Sequence, residues 1–200
     1  MRISLFPLTG ALLYPGLSLP LHIFEPRYRA MVSDSLARDR QIGMIQPQRA
    51  EEGAPLYQVG CLGHIDEVEA LEDGRYNIVL RGVARFRLRR ELVVTTPFRQ
   101  GEADMLAEPD TVLAPIERAL FEREARSFAQ THGYRVDWDQ VSRLDDAALI
   151  NGVSQVAPFD AASKQALLEA GTINERCALL VQLMQFYGQR DSDEGGATLQ

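Results

Sequence analysis

The sequence predicts an α+β fold, with a β-barrel subdomain over residues 1–100 and a helical bundle over residues 101–188. Three observations indicate this division. Apolar residues alternate at strand period in the first part and recur at helical spacing in the second. The charge balance changes at the same point, because residues 1–100 hold 13 Arg and 11 acids, whereas residues 101–200 hold 8 basic residues and 17 acids. Finally, 46% apolar and 24% charged residues in a chain of 200 are typical of a globular protein that buries a core.

The opening residues predict a turn, a strand and a helix. Pro15 and Gly16 suit the two central positions of a type II turn over Tyr14–Leu17, because proline presets φ and glycine accepts a positive φ. Leucines then alternate with polar residues over residues 17–24, as in a half-buried strand. Pro20 lacks the N–H of a ladder bond, which predicts an edge strand. A proline at 26 favours a helix near residues 26–38, and a short strand follows over residues 41–46.

A long hairpin is the clearest β-signal in the chain. Its predicted arms, Tyr57–Leu71 and Arg75–Arg90, flank Glu72-Asp73-Gly74, which has the composition of a turn. Glycines interrupt the arms at Gly60, Gly63 and Gly82. Interior glycines mark bulges and bends, so the arms suit a small barrel better than a flat sheet. The preceding residues 47–55 read as an exposed loop, and Leu92–Thr96 as a further β-rich run.

Helical signals dominate beyond an acidic connector at residues 100–110. A first helix carries Leu113, Ile116, Leu120 and Phe128 and is predicted to end near Gly133. Three later helices begin at residues that can cap them, namely Asp145-Asp146, Asp160 and the capping-box pattern Thr172-x-x-Glu175. We expect the last helix to end at Gly188, and residues 189–200 to be disordered because they are polar and contain glycine.

Several classes of protein are disfavoured by the composition. No apolar run approaches the ~20 residues of a membrane span, and no signal peptide is recognised. Two distant cysteines, Cys61 and Cys177, fit buried reduced thiols, so a cytoplasmic location is expected. The three histidines are scattered and no metal-ligand spacing occurs, so neither a metal nor another cofactor is expected. The net charge of −7 disfavours general nucleic-acid affinity.

The chain resembles the N-terminal domain of Lon protease in a stand-alone form. The matching segments are Leu5-Phe6-Pro7-Leu8, Tyr14-Pro15-Gly16, Leu19-Pro20-Leu21, Ile23-Phe24-Glu25-Pro26-Arg27-Tyr28, Val59-Gly60-Cys61-Leu62, Asp73-Gly74-Arg75, Leu80-Arg81-Gly82-Val83-Ala84-Arg85-Phe86 and Lys164-Gln165-Ala166-Leu167-Leu168-Glu169. This resemblance implies a PUA-like β-barrel followed by a helical bundle. It also implies a role in recognising polypeptides.

The residues that ATP hydrolysis and proteolysis require are missing. The chain has no Gly-x4-Gly-Lys-Ser/Thr loop, and its one lysine, Lys164, follows directly after Ser163 in a predicted helix. Adjacent helical residues point about 100° apart, which suits a Ser-Lys dyad poorly. We therefore expect a non-enzymatic protein that binds a polypeptide or a partner protein, with a weak homodimer left open. An uncharacterised hydrolase is the weakest alternative, and the elbow-like Gly152-Val-Ser154 lies within a helical pattern.

The predicted binding residues lie at the joint between strand and helix and on one arm of the hairpin. They are Phe24, Glu25, Arg27, Tyr28, Arg81 and Arg85. One interpretation of the joint is structural, with Glu25 near the helix N-terminus and Tyr28 in the core. The other is that it borders an apolar groove between barrel and helices, which accepts an apolar side chain of a ligand.

The second arm of the hairpin predicts a stripe of arginines on one face. Its members are Arg81, Arg85, Arg87 and Arg89. One interpretation pairs them with Glu67, Glu69 and Glu91 on neighbouring strands. The alternative is a docking surface for a carboxylate, an acidic peptide or an RNA backbone, and RNA binding is the main alternative function.

Overall fold

The structure, a computed structural model, describes residues 1–109 and 112–196, with side chains described as far as residue 189. It divides into two units, Met1–Glu108 and Pro109–Gln200. The first is β-rich and the second is helical, which confirms the predicted α+β class. The division lies after residue 108, not residue 100.

The β-rich unit is a six-stranded sheet with one helix. Its elements are β1 (Arg2–Pro7), β2 (Ser18–Ile23), α1 (Pro26–Leu36), β3 (Gln41–Ile45), β4 (Val59–Ala70), β5 (Tyr76–Glu91) and β6 (Gln100–Met105). The strand order is β2-β5-β4-β3-β1-β6, and β5 also pairs with β6. Five strands therefore close into a ring. Among the described strands β2 pairs with β5 alone, which confirms the edge position predicted from Pro20.

The closing strand was not predicted. The β-rich run Leu92–Thr96 forms no strand, whereas Gln100–Met105, expected to lie in an acidic connector, forms β6 between β1 and β5. The acids of β6 explain this difference, because Glu102 lies opposite Arg90 and Asp104 opposite Arg87 in the β5–β6 register. Opposite charges across a strand pair stabilise a pairing that propensity does not favour.

Two glycines of the barrel have the predicted roles. Gly16 has a φ of 82°, and the Leu17 N–H donates to the Tyr14 carbonyl at 3.1 Å, as a type II turn requires. Gly82 lies where β5 passes this turn, and a Cβ there would lie 2.1 Å from the Tyr14 carbonyl oxygen. The β4–β5 register also shifts between Leu62 and Gly63, which is the predicted irregularity in the arms.

Two apolar clusters form the core of the β-rich unit. The larger joins α1 to the sheet and includes Phe6, Ile23, Tyr28, Met31, Val32, Ile42, Ile65, Leu80 and Phe98. The smaller lies between β1, β3, β4, β5 and β6 and includes Ile3, Leu5, Ile45, Leu62, Phe86 and Ala103. Tyr28, Met31 and Val32 are the buried face of α1 that helical spacing predicts.

The helical unit contains five helices within the described residues. They are α2 (Pro115–Thr131), α3 (Trp138–Val141), α4 (Asp146–Val156), α5 (Ala161–Glu169) and α6 (Ile173–Gly196). The predicted caps of α4 and α5 are confirmed, because Asp145 accepts from the Ala148 N–H at 2.7 Å and Asp160 from the Ser163 N–H at 2.7 Å. Thr172 likewise accepts from the Glu175 N–H at 3.1 Å at the start of α6. The short α3 was not predicted.

The last helix is longer than expected. Gly188 does not have the positive φ of a helix-terminating glycine, so α6 continues to Gly196. The predicted disorder of residues 189–200 therefore differs from the structure over residues 189–196, and residues 197–200 lie outside the described residues. No helix in the described part of the chain combines the length and hydropathy needed to cross a membrane.

Candidate functional site

Three of the predicted binding residues line one cavity in the β-rich unit. Glu25, Arg27 and Tyr28 border a cavity of about 340 Å³ at the N-terminus of α1. Phe24 precedes them in the chain and is 60% exposed. Arg81 and Arg85 do not line this cavity. Whether these residues bind a ligand stays a prediction.

The end of β2 and the start of α1 position these side chains. β2 ends at Ile23, which is buried, and α1 begins at Pro26 with Glu25 as its N-cap. The Glu25 carbonyl accepts from the N–H groups of Tyr28 and Arg29 at 3.0 and 2.9 Å, which starts the helix. Because β2 passes directly into α1 here, the neighbouring side chains of Glu25, Arg27 and Tyr28 share one opening.

The cavity combines an apolar base with charged walls. Its apolar lining includes Pro7, Leu8, Pro97 and Phe98, together with the ring of Tyr28. The Tyr28 ring packs on Phe6 with 4.6 Å between ring centres. Burial raises the pKa of the Tyr28 phenol above its usual range, so this group stays neutral at physiological pH.

Arg27 organises the charged side of the cavity. Its Nε donates to the Glu25 carboxylate at 2.9 Å and a terminal nitrogen donates to Glu52 at 2.5 Å. The guanidinium also lies 4.6 Å from the centre of the Tyr28 ring. Burial would lower the pKa of Arg27, but Tyr28 and the two carboxylates raise it above its usual value. Arg27 is therefore a permanent cation, paired with the N-cap residue of α1, Glu25, and with Glu52 of the loop over residues 47–55.

A second arginine, which sequence reasoning missed, fastens the same loop. Arg99 donates to both oxygens of Glu91 at 2.6 Å and to the Ala54 carbonyl at 2.9 Å. The loop over residues 47–55 is mostly exposed, as expected, and four of its residues also line the cavity, namely Ala50, Glu51, Glu52 and Gly53. No local pattern marks Arg99 or Glu52 as site residues, because their partners are distant in sequence.

The predicted arginine stripe is not a continuous basic surface. Arg85 is 2% exposed, and its guanidinium forms an ion pair with Glu108. Arg81 donates to Asp66 at 2.7 Å, and Arg89 pairs with Asp104. These acids are not the expected Glu67, Glu69 and Glu91.

Irregular pairing of β5 explains this difference. The β4–β5 register shifts where Leu62 and Gly63 pair with Ala84 and Gly82, so strict alternation of faces fails just before Arg85. The hydrogen bond from Arg81 lowers the pKa of Asp66, and the hydrogen bond from Arg90 lowers that of Glu102. Since Arg81, Arg85 and Arg89 each form an ion pair with an acid, the geometry gives no specific support to RNA binding through the stripe of Arg81, Arg85, Arg87 and Arg89.

The serine and lysine side chains that could act in catalysis do not form a reactive pair. Ser163 Oγ lies 3.4 Å from the Tyr187 hydroxyl, whereas Lys164 Nζ donates to the Gln155 carbonyl at 3.2 Å. Ser154 is buried within α4 and donates to the Ile150 carbonyl at 2.7 Å. Within the described residues no group of three or more His, Cys, Asp or Glu side chains is arranged to hold a metal ion.

Comparison with known proteins gives a consistent set of relatives. A family model described as the ATP-dependent protease La (LON) substrate-binding domain matches residues 2–185. Lon protease 1 of Hydrogenovibrio crunogenus is 25% identical over 194 residues, which are 92% of this chain and 24% of that protein. The chain thus spans about a quarter of the length of this relative.

Two solved structures share the fold over nearly their whole length. The Lon N-terminal domain protein from Xanthomonas campestris matches with a TM-score of 0.70 at 23% identity, over 91% of this chain and 98% of that chain. The N-terminal domain of the Mycobacterium avium complex Lon protease matches with a TM-score of 0.68 at 21% identity, over 92% of this chain and 98% of that chain.

Proposed function

The chain belongs to the family of ATP-dependent protease La (LON) substrate-binding domains, and on this premise we propose that it binds polypeptide segments and does not itself hydrolyse them. The family match over residues 2–185 is the observation that carries this proposal. We propose the cavity at the N-terminus of α1 as a contact site for the polypeptide. Buried free thiols at Cys61 and Cys177 support a cytoplasmic location.

The chemistry of this cavity suits a polypeptide better than a small charged ligand. A volume of about 340 Å³ accommodates one or two apolar side chains against Leu8, Tyr28 and Phe98. The carboxylates of Glu25 and Glu52 already neutralise the positive charge of Arg27, so this arginine is not left unpaired to bind an anion. The same groups offer hydrogen bonds to a peptide backbone that passes the opening. Phe24, which directly precedes Glu25 in the chain, has an exposed ring that stacks on His22 and is available for an apolar contact.

The side chains near Lys164 support a non-catalytic role. Burial lowers the pKa of Lys164, which a catalytic lysine also needs. However, its ammonium is directed at the Gln155 carbonyl, and the hydroxyl of Ser163 lies near Tyr187. Ser163 and Lys164 therefore make these contacts with different partners, as a non-catalytic role predicts.

Fluorescence anisotropy with a labelled, permanently unfolded polypeptide tests the proposal. Reduced and carboxymethylated α-lactalbumin is a suitable probe. We expect saturable binding that depends weakly on salt, because Arg27 is already paired with Glu25 and Glu52, and Arg99 with Glu91. Phe24→Ser should weaken binding several-fold, since an exposed aromatic ring contributes contact area.

The matched control is Phe186→Ser, which removes an exposed phenylalanine of α6 in the helical unit. Equal losses in the two variants would overturn the assignment of Phe24 to the contact surface. Absence of binding by the wild type would overturn the proposed function. Cleavage of the probe that tracks the purified protein and disappears on Lys164→Ala would overturn the non-catalytic role.

A further inference from the structure

A second concavity lies in the helical unit and is almost entirely apolar. Its volume is about 480 Å³. Its base is formed by buried side chains, namely Phe121, Phe128, Leu149 and Met184. Its rim is formed by exposed side chains, namely Tyr134, Val136, Leu144 and Val156. We call this concavity the helical groove, and it involves α2, α3, α4 and one residue of α6.

The lining of the helical groove requires an apolar occupant. Among the described lining residues only Glu122 is charged, and its carboxylate accepts from Arg118 at 3.0 Å. A polar small molecule would therefore find few groups to fix its orientation. Exposed apolar rims of this kind, such as Val156 at 77% exposure, are typical of interaction surfaces.

Small residues leave room for a chain to approach the helices closely. Ala125 and Ala129 follow one another at i,i+4 spacing on α2, and Ala148 and Gly152 do so on α4. A Cβ added at Gly152 would have no heavy atom within 4 Å, so the space above this residue is open. The open space beside these small residues of α2 and α4 suits a polypeptide segment that inserts its apolar side chains into the groove.

Charge indicates which polypeptide segment fits. Residues 109–200, which form the helical unit, contain 14 acidic and 8 basic residues. The unit is therefore net negative and attracts basic segments. Arg126 already occupies the face of Trp138, with its guanidinium 4.4 Å from the ring centre, so the flanking cations of a ligand are attracted by the net charge of the unit and not by this ring.

We propose that the helical groove binds apolar polypeptide segments that are flanked by Lys or Arg. Apolar side chains fill the space above Gly152, and the flanking cations lie in the negative field of the helical unit. This inference rests on the proposed function and adds to it a second contact site with a defined sequence preference.

Trp138 makes the helical groove directly observable in the intact chain. It is the only tryptophan in the sequence and it lines the groove. The probe is a synthetic 14-residue peptide without Trp or Tyr, with Leu and Phe at helical spacing and two Lys at each end. A second peptide replaces each Lys with Glu. We expect the Lys peptide to shift Trp138 emission saturably, and the Glu peptide to require a concentration at least about tenfold higher.

Two variants test the site itself. Gly152→Leu fills the groove and should raise the Kd of the Lys peptide at least about tenfold, because the anchor pocket is lost. Ala119→Leu adds the same side chain to α2 at an exposed position that does not line the groove, and should leave the Kd unchanged. Val156→Lys changes an exposed rim residue without filling the groove, so it tests charge in a variant whose fold is not at risk. It should weaken binding of the Lys peptide.

The outcomes separate this inference from the proposed function. Binding measured by anisotropy without a change in Trp138 emission would overturn the helical groove and leave the proposed function standing. Equal affinity for the Lys and Glu peptides would overturn the charge preference. An unchanged Kd in both Gly152→Leu and Val156→Lys would overturn the site. Absence of any polypeptide binding would overturn both proposals.

Discussion

Replacing Gly82 with alanine tests the way the barrel is built around its first turn. β5 passes so close to this turn that a Cβ at Gly82 would lie 2.1 Å from the Tyr14 carbonyl oxygen and 2.7 Å from the Tyr14 carbonyl carbon. Both are backbone atoms, which cannot rotate away as a side chain can. The turn or β5 must therefore move.

The expected cost follows from the contacts that this movement disturbs. Forcing one methyl group into a well-packed site costs about 1–3 kcal/mol. Gly82 also donates to the Leu17 carbonyl at 2.8 Å and accepts from the Gly16 N–H at 3.0 Å. Each of these bonds contributes about 1 kcal/mol. Gly82→Ala should therefore lower the free energy of unfolding of the β-rich unit by about 3–5 kcal/mol.

Calorimetry and urea unfolding monitored by circular dichroism measure this change. Calorimetry is needed because two units can unfold in separate transitions. Val83→Ala is the matched control, since Val83 is the next residue of β5 and is partly exposed, so its truncation should change stability by under about 1 kcal/mol. If Gly82→Ala destabilises the β-rich unit no more than Val83→Ala does, the close approach of β5 to the turn is wrong.

Three further predictions concern buried or paired ionisable groups. Arg176→Met should destabilise the helical unit by on the order of 3 kcal/mol in urea unfolding. The substitution removes the donor that bonds to the buried Asn151 side chain and to two helix-end carbonyls. A change within about 0.5 kcal/mol, the range of ordinary surface substitutions, would contradict this prediction. Burial, together with nearby acids, raises the pKa of the Cys177 thiol to about 11. Iodoacetamide at pH 8 should therefore alkylate Cys177 at least about 100-fold more slowly in the native protein than in urea. Equal alkylation rates in the native and the unfolded protein would show that Cys177 is not buried. Arg90 lowers the pKa of Glu102. Their pairing therefore stabilises the fold above the unfolded-state pKa of Glu102, and this stabilisation is lost as the pH falls through the folded-state pKa. The loss of thermal stability below pH 4.5 should consequently be smaller in Glu102→Gln than in the wild type.

Local patterns predicted most elements correctly. The hairpin around Gly74, the turn at Gly16 and the caps at Asp145 and Asp160 each depend on residues within four positions of one another. Such interactions are encoded by short segments, so propensity and period suffice to identify them. The same reasoning predicted Glu25, Arg27 and Tyr28 as neighbours, because they lie within four positions of one another where β2 passes into α1.

Pairings between distant segments could not be predicted in this way. Residues 100–105 are polar and read as a connector, yet they form β6, where Asp104 and Glu102 form ion pairs with Arg89 and Arg90 of β5. Arg85 follows the alternation of an exposed residue, but the structure buries it against Glu108. In each case the partner lies 11 or more positions away, and many registers satisfy the sequence equally well.

The sequence by itself determined the change from strands to helices, the turn at Gly16, the hairpin around Gly74 and the caps at Asp145 and Asp160, because these depend on neighbouring residues and on composition. Only the tertiary structure decided which acid neutralises which arginine, and that Glu52 and Arg99 complete the cavity beside α1. It also decided that α2, α3 and α4 leave the helical groove open around Trp138. The physical reason is that charges and cavities depend on distances through space, which the chain sets only when all its strands have paired and its helices have packed.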